Sequence, residues 1–275
     1  LHEAFYEGAT EEMLTLRHGG QVVRIVPGEW RQGDVEVGAH VPPPFDAVPS
    51  FMAHFHTRFR LDWLHGQVTR TLAVATAHHR FNFIHPFYDG KGRVSRLMSH
   101  AMAHHAEISA GGLWSVSRGL ARGLQDGLPG REEYREMMQL ADRVRQGDRD
   151  GRGNLSLAAL VSFTKWFLAV CEDQVTFMAG MFDFDRLGER LARYAAQSGL
   201  GERAGGLLRI ILLRGEVERG DVAALLGVAP RTARATMKSL TDDGVVGSET
   251  PRGALILRFP SKTHDVLFPR LFDAV

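Results

Sequence analysis

The run His85-Pro86-Phe87-Tyr88-Asp89-Gly90-Lys91-Gly92-Arg93-Val94-Ser95-Arg96 gathers, in one short stretch, the side chains that attack on a phosphate ester requires. Gly90 and Gly92 let the backbone approach a ligand closely and present successive N–H groups as an anion-binding nest. A helix starting at these glycines adds its N-terminal dipole and unpaired donors, both favourable to phosphate. Arg93 and Arg96 are three residues apart, so they share a face of that helix and can fork onto phosphate oxygens. Asp89 is a hard oxygen ligand suited to Mg²⁺, which proteins hold through one or two carboxylates plus substrate phosphates. His85 is the one group of the run that can accept a proton near neutral pH. Taken singly, a glycine-rich loop is most often a turn and a helix-end histidine most often structural. Their order within one run is what points to phosphate chemistry. Phe87 is expected to face the core and fix the loop.

The elements that must position this run read as helices. Val48-Phe51-Met52-Phe55-Phe59 and Val68-Leu72-Ala75-His79 recur at three- and four-residue spacing. Val94-Leu97-Met98-Ala101 resumes the pattern after the loop, Arg131 to Tyr134 opens another helix, and Leu157 to Phe182 is a long apolar-periodic segment following Ser156. The stretch Gly147 to Asn154 is charged and glycine-rich, and is expected to be a loop. The first 60 residues are mixed. Glu11-Met13-Leu14 suits a helix, whereas Gln21 to Val26 and Asp34 to Val37, punctuated by Gly19-Gly20, Pro27-Gly28 and Gly33, suit short strands. A hairpin or flap near 21–40 is expected, followed by the stiff spacer Pro42-Pro43-Pro44.

Composition narrows the class. The chain has 275 residues, 44% hydrophobic and 24% charged, which excludes a disordered or fibrous protein. Its 33 basic and 32 acidic side chains leave a net charge of +1, which argues against wholesale nucleic-acid coating. A single cysteine, Cys171, forms no internal disulfide, so a reducing compartment, the cytoplasm, is expected. Arg209 and Lys165 interrupt the richest apolar stretches, and none reaches the ~20 residues of a membrane span. The chain starts on Leu1 without a basic, then apolar, leader, which reads as no signal peptide and as a processed or truncated chain.

The central run resembles the signature of Fic-domain proteins, His-Pro-Phe-x-(Asp/Glu)-Gly-Asn-Gly-Arg-x-x-Arg, and departs from it only at Lys91, where the family has Asn. Phe81, Ile84, Pro27-Gly28-Glu29-Trp30-Arg31 and Val37-Gly38-Ala39-His40 fit the resemblance, and Gly151 to Ser156 looks like one bacterial branch of the family. The similarity spans most of residues 20 to 180. It implies transfer of AMP from ATP to a Ser, Thr or Tyr hydroxyl of a target protein, with loss of pyrophosphate. Carried over by position, His85 would deprotonate the hydroxyl and Asp89 would hold Mg²⁺. The Gly90, Lys91 and Gly92 stretch and Arg93 would cradle the phosphates, with Arg96 at the γ-phosphate. Segment 34–37 would belong to a flap that aligns the target by strand addition. An ammonium only donates where the family amide also accepts, so Lys91 either contacts phosphate as a point charge or swings into solvent. Another donor nucleotide, phosphate transfer or removal of AMP stays open on that account. Many members are silenced by a helix bearing (Ser/Thr)-x-x-x-Glu-(Gly/Asn). Ser198 to Arg203 carries only its first half, and in the resembling branch the helix lies upstream of Leu1. The chain is therefore expected to be uninhibited, or silenced by a separate partner.

Beyond a glycine cluster at Ser198 to Gly206, three short helical segments and two flanking strands read as a winged helix-turn-helix, with Gly227 at the tight turn. The expected fold is thus mostly α: a Fic-type domain over 1–198 with its hairpin flap, and a winged helix-turn-helix domain over 206–275. Arg231, Arg234 and Lys238 share one face of its third helix, as phosphate contacts require. Residues 206–275 hold ten basic against eight acidic side chains, a net +2, so DNA and a protein partner, including a second copy, are both open there. A transcriptional regulator with a nucleotide-sensing Fic domain is the rival from another class. His100 and His104 have zinc-compatible spacing but no accompanying ligands, so packed or solvated histidines are expected. Tyr134 suits an adenine ring or the core.

Overall fold

The computed structural model describes residues 1–18, 21–38 and 40–271. Gly19, Gly20, Ala39 and the stretch 272–275 lie outside the described residues, including parts of the expected flap and of the 206–275 domain. The chain divides into two compact units, Leu1–Thr176 and Phe177–Ala274. Among the described residues no helix is long and apolar enough to cross a membrane.

The N-terminal unit opens with a short helix α1 (His2–Phe5) and a hairpin of β1 (Thr15–His18) and β2 (Gln21–Arg24), paired Thr15 to Arg24 and Leu16 to Val23. Helices α2 (Val48–Arg58), α3 (Gln67–Ile84), α4 (Lys91–His105), α5 (Val116–Arg122), α6 (Gly130–Ala141) and α7 (Leu157–Met181) follow, the last running past the unit's end at Thr176. Phe81, Phe87 and Val94 form a buried cluster against Met52, Phe55 and Met98, so α2, α3 and α4 pack around the central loop. Phe87 is buried as expected. Gly119 is where α5 meets α7: a Cβ there would lie 2.6 Å from the Val170 side chain. Helix α7 starts as the sequence suggested. The Ser156 hydroxyl accepts the Ala159 N–H at 3.1 Å, and Asp150, folded back from the charged loop, accepts that of Ala158 at 2.8 Å.

Near the N-terminus the structure departs from expectation. Glu11 to Leu14 is a turn, and α1 lies earlier, where no apolar periodicity announces it. Gln21 pairs upstream with β1 rather than forward toward residue 40. Among the described residues, the expected flap beyond β2 shows one bridge, Val37 to His40, with mutual N–H···O bonds of 3.0 Å. Pro27 and Pro42 to Pro44 limit ladder formation on either side. The flap is segment 33–43, which carries this bridge.

The C-terminal unit contains α8 (Phe184–Gln197), α9 (Glu202–Arg214), β3 (Glu216–Val217), α10 (Val222–Leu226), α11 (Pro230–Asp243), β4 (Val246–Gly247), β5 (Leu255–Leu257) and α12 (His264–Leu267). Asp183 caps α8 by accepting the Arg186 N–H at 2.9 Å. Leu187, Leu191, Leu207, Leu208, Ile211 and Leu240 form its core. The helices expected beyond residue 206 are present, with Gly227 left-handed at φ +62 between α10 and α11. The sheet has a third strand, in the order β3-β5-β4, because Glu216 and Val217 pair with Ile256 and Leu255. The compact units part at 176/177, not near the glycine cluster expected to be a linker. Gly205 lies inside α9, where a Cβ would stand 3.1 Å from Ala192 Cα, so a small residue lets α8 and α9 approach closely.

Leu208 is fully buried and Leu213, on the same helix, is 63% exposed. Leu208→Ala should cost about 3 kcal/mol, and Leu213→Ala less than about 0.5 kcal/mol, in native-state hydrogen exchange of the α9 amides.

Candidate functional site

The site is built at the junction of α3 and α4. Helix α3 ends because Pro86 cannot continue it, and its terminal residue His85 takes the left-handed conformation, φ +52. That conformation costs a non-glycine residue about 1–3 kcal/mol, so neighbouring groups must hold it. Its amide still donates to Phe81 O at 3.1 Å, while its carbonyl accepts Nε–H of the buried Arg31 at 2.8 Å. Gly90, at φ +75, begins α4, and the first helical bond runs from Val94 N–H to Gly90 O at 2.9 Å. The N–H groups of Lys91, Gly92 and Arg93 precede that bond, so they lack helical partners, and no side chain caps them. A Cβ at Gly90 would stand 3.1 Å from the Tyr6 ring.

His85 is 3% exposed and lines a cavity of about 460 Å³. Lys91 lines the same cavity, with Nζ at 2.8 Å from His85 Nδ1 and 2.6 Å from Nε2, so the ammonium lies against the imidazole. Burial pulls Lys91 down to about 8. Of the two positions considered for Lys91 from the sequence, the solvent one is not taken up. Asp89, Gly90, Gly92, Arg93 and Arg96 do not line this cavity. Asp89 Oδ2 accepts from Arg93 Nη2 and from the Tyr6 hydroxyl, both at 3.0 Å, and the Arg93 guanidinium stacks 4.2 Å above the Phe5 ring. Burial first, then the Asp89 hydrogen bond, push the Tyr6 phenol up to about 12. Arg96 makes no ion pair among the described residues, and its Nη1 lies 3.4 Å from where a Cβ of Gly92 would be.

Helix α1 holds the loop from the other side. His2 stacks on Phe87 at 3.8 Å, its Nδ1 accepts the Gly28 N–H at 2.9 Å, and Nε2 reaches Asp89 O at 3.3 Å. Those partners require the neutral tautomer protonated on Nε2, in line with a value lowered by burial.

The cavity lining also contains Asp142, which the sequence did not single out, beside His40 and Tyr134, which it did. Asp142, just after α6, accepts from His40 Nδ1 at 3.2 Å and His79 Nε2 at 3.0 Å. His40 Nε2 meets Phe83 O at 2.9 Å, so both its nitrogens face acceptors and the ring is an imidazolium. Its value is raised: desolvation lowers it, but Asp142 and the carbonyl outweigh that. His79 Nδ1 faces Arg80 Nη1 at 3.2 Å, so His79 is neutral, its value lowered by burial. Burial alone would raise Asp142, and the two imidazoles bring it to about 2. Tyr134 lines the cavity too. Its hydroxyl lies 3.0 Å from Nε2 of buried His78, whose Nδ1 lies 2.8 Å from Ser99 Oγ, while Ser99 donates to Ser95 O at 2.9 Å. Ser99 spends its proton on that carbonyl, so His78 Nδ1–H donates and its Nε2 accepts the Tyr134 proton. Burial drives His78 to about 3, which keeps it neutral. The adjacent histidines on α3 were the available signal for these networks, whereas Asp142 is a lone acid with no pattern. His104 Nδ1 lies 3.0 Å from Ser109 Oγ, and among the described residues no three His, Cys, Asp or Glu side chains are grouped as a protein-only metal site needs.

Residues 8–103, which contain the whole central run, match the Fic/DOC family. Over 91 residues the chain is 40% identical to the Protein adenylyltransferase Fic of Drosophila willistoni and to that of Drosophila yakuba, covering 32% of this chain and 17% of each relative. The chain thus matches less than a fifth of those relatives' length. A Fic family protein from Desulfovibrio desulfuricans G20, of known structure, aligns with TM-score 0.42 and 20% identity over 94% of this chain and 66% of that one.

Asp142→Asn should destabilise the chain by about 2 kcal/mol at pH 6, the worth of hydrogen bonds to a charged group. A carboxyl lowered from 3.8 to about 2 stabilises above 3.8, and loses that contribution as pH falls through 2. Urea unfolding of wild type and variant should therefore converge between pH 4 and 2.

Proposed function

We propose that the chain is a protein adenylyltransferase, transferring AMP from ATP to a Ser, Thr or Tyr hydroxyl of a target protein and releasing pyrophosphate. The observation that carries this reading is the placement of His85, whose buried imidazole lines a cavity of about 460 Å³ together with Lys91, the first residue of α4. In this reading the hydroxyl oxygen bonds to the α-phosphorus as His85 takes its proton, and the bond from that phosphorus to the β-phosphate bridging oxygen breaks. The amides of Gly90, Lys91 and Gly92, with Arg93 and Arg96, receive phosphate oxygens, and the helix dipole adds to their pull. Lys91 stands between base and phosphates. Drawing its ammonium toward a phosphate would uncover the imidazole that it lies against in this structure.

Asp89 suits Mg²⁺ in this scheme, because its carboxylate is 45% exposed and both protein donors meet the same oxygen, Oδ2. A single carboxylate plus substrate phosphates is an ordinary Mg²⁺ environment. When bound, the ion neutralises phosphate charge. We place the protein in the cytoplasm on its single cysteine, Cys171, whose thiol burial pushes up to about 12 and makes unreactive.

We read the C-terminal unit as a winged helix-turn-helix, on the succession α9, β3, α10, α11, β4, β5. Its Lys238 ammonium already pairs with Asp242 at 2.7 Å, which favours docking of a protein, including a second copy, over duplex DNA. Tight, steeply salt-dependent binding of a defined duplex would reverse that preference.

Incubation of the full chain with ATP labelled on its α-phosphate and a cell lysate should label protein, and His85→Ala should cut the rate by at least about 10²-fold. Label from another nucleotide alone would change the donor, and absence of label from any nucleotide would remove the enzymatic reading. Lys91→Asn, which takes the ammonium off the imidazole, should raise kcat, read as initial rates at saturating ATP.

A further inference from the structure

Arg31 is 2% exposed and lies outside the cavity lining. A guanidinium withdrawn from water persists only where its donors are met. Nε donates to His85 O at 2.8 Å, Nη1 to Gly33 O at 2.9 Å, and Nη2 to Pro43 O. The Arg31 backbone N–H donates to Pro86 O at 2.8 Å. Asp34 is 3.5 Å away and its side chain is 69% exposed, so ion pairing does not account for the burial. The acceptors have a pattern. Gly33 and Pro43 are the two ends of the flap, and His85 and Pro86 form the turn where α3 stops. A planar fork reaches carbonyls in divergent directions, which no other side chain does with comparable rigidity.

We propose that Arg31 is a positioning residue that holds His85 in its left-handed conformation and ties both ends of the flap to that turn. The carbonyl it grips belongs to the strained residue itself, at φ +52. The second bond, to Pro86 O, fixes the following peptide, so the direction in which the imidazole leaves the backbone is set from both sides. The flap and His85 then move as one body.

The kinetic part of the test rests on the transfer reaction proposed above, and the exchange part does not. In Arg31→Ala, amide hydrogen exchange in peptides spanning 33–45 and 84–92 should rise by about tenfold or more, with α7 unchanged. In labelling assays kcat should fall about 10²-fold with KM for ATP within about threefold, the signature of a misplaced group, not of lost binding. Added guanidinium ion should restore protection and kcat together, where sodium at equal ionic strength should not. If Arg31→Ala does not fold, Arg31→Lys carries the same test, since it keeps the charge and stem but cannot fork. Wild-type exchange in both peptides, or a loss spread over the whole N-terminal unit that guanidinium does not repair, would overturn the proposal. A wild-type chain that labels nothing would overturn the transfer reaction alone, because the exchange result would still decide the role of Arg31.

Discussion

The left-handed turn at His85 is the constraint around which the N-terminal unit is organised. A proline at position 86 stops α3, and Gly90 starts α4 from a second left-handed residue. Between them the chain has room for one tight loop, and Phe87 anchors it in the cluster of Phe81 and Val94. Everything that touches this loop stabilises an otherwise unfavourable backbone. Arg31 grips its carbonyls, and His2 stacks on Phe87. The result is a rigid platform on which an imidazole and a helix N-terminus stand side by side.

The two faces of that platform differ in charge logic. On the α1 side, Asp89 is shared between Arg93 and Tyr6, a compact cluster in which one carboxylate oxygen serves two donors. On the cavity side, Asp142 is flanked by two histidines in opposite states, His40 charged by its two acceptors and His79 neutral under Arg80. That contrast follows from what faces each second nitrogen, a carbonyl in one case and a guanidinium in the other. Because His40 closes the flap bridge, the same carboxylate anchors the flap to the end of α6.

Much of the helical frame was legible from apolar spacing. The segments around Val48, Val68, Val94 and Leu157 became α2, α3, α4 and α7, although some residues that set the spacing, Val68 and Leu157 among them, are exposed. The central run stood out for a different reason: its polar side chains are compressed between His85 and Arg96. The short elements were not legible. Helix α1 and the strands Thr15–His18 and Glu216–Val217 are too brief to carry a period, and α1 and Glu216–Val217 are held by partners distant in the chain, at Asp89 and Ile256.

From its residues alone this protein determined where most of its longer helices lie and which side chains stand together in the loop between α3 and α4, since those are matters of periodicity and near-neighbour spacing. Tertiary structure decided the rest. It brought Lys91 back onto His85, joined Asp142 to His40 and His79 across more than 60 residues, and sent Arg31 to the carbonyls of a turn 54 residues away. It also put Gly205 at a helix crossing, not in a linker. Such pairings leave no trace in composition or period, because a hydrogen bond depends on where two atoms meet in space and not on how far apart they stand along the chain.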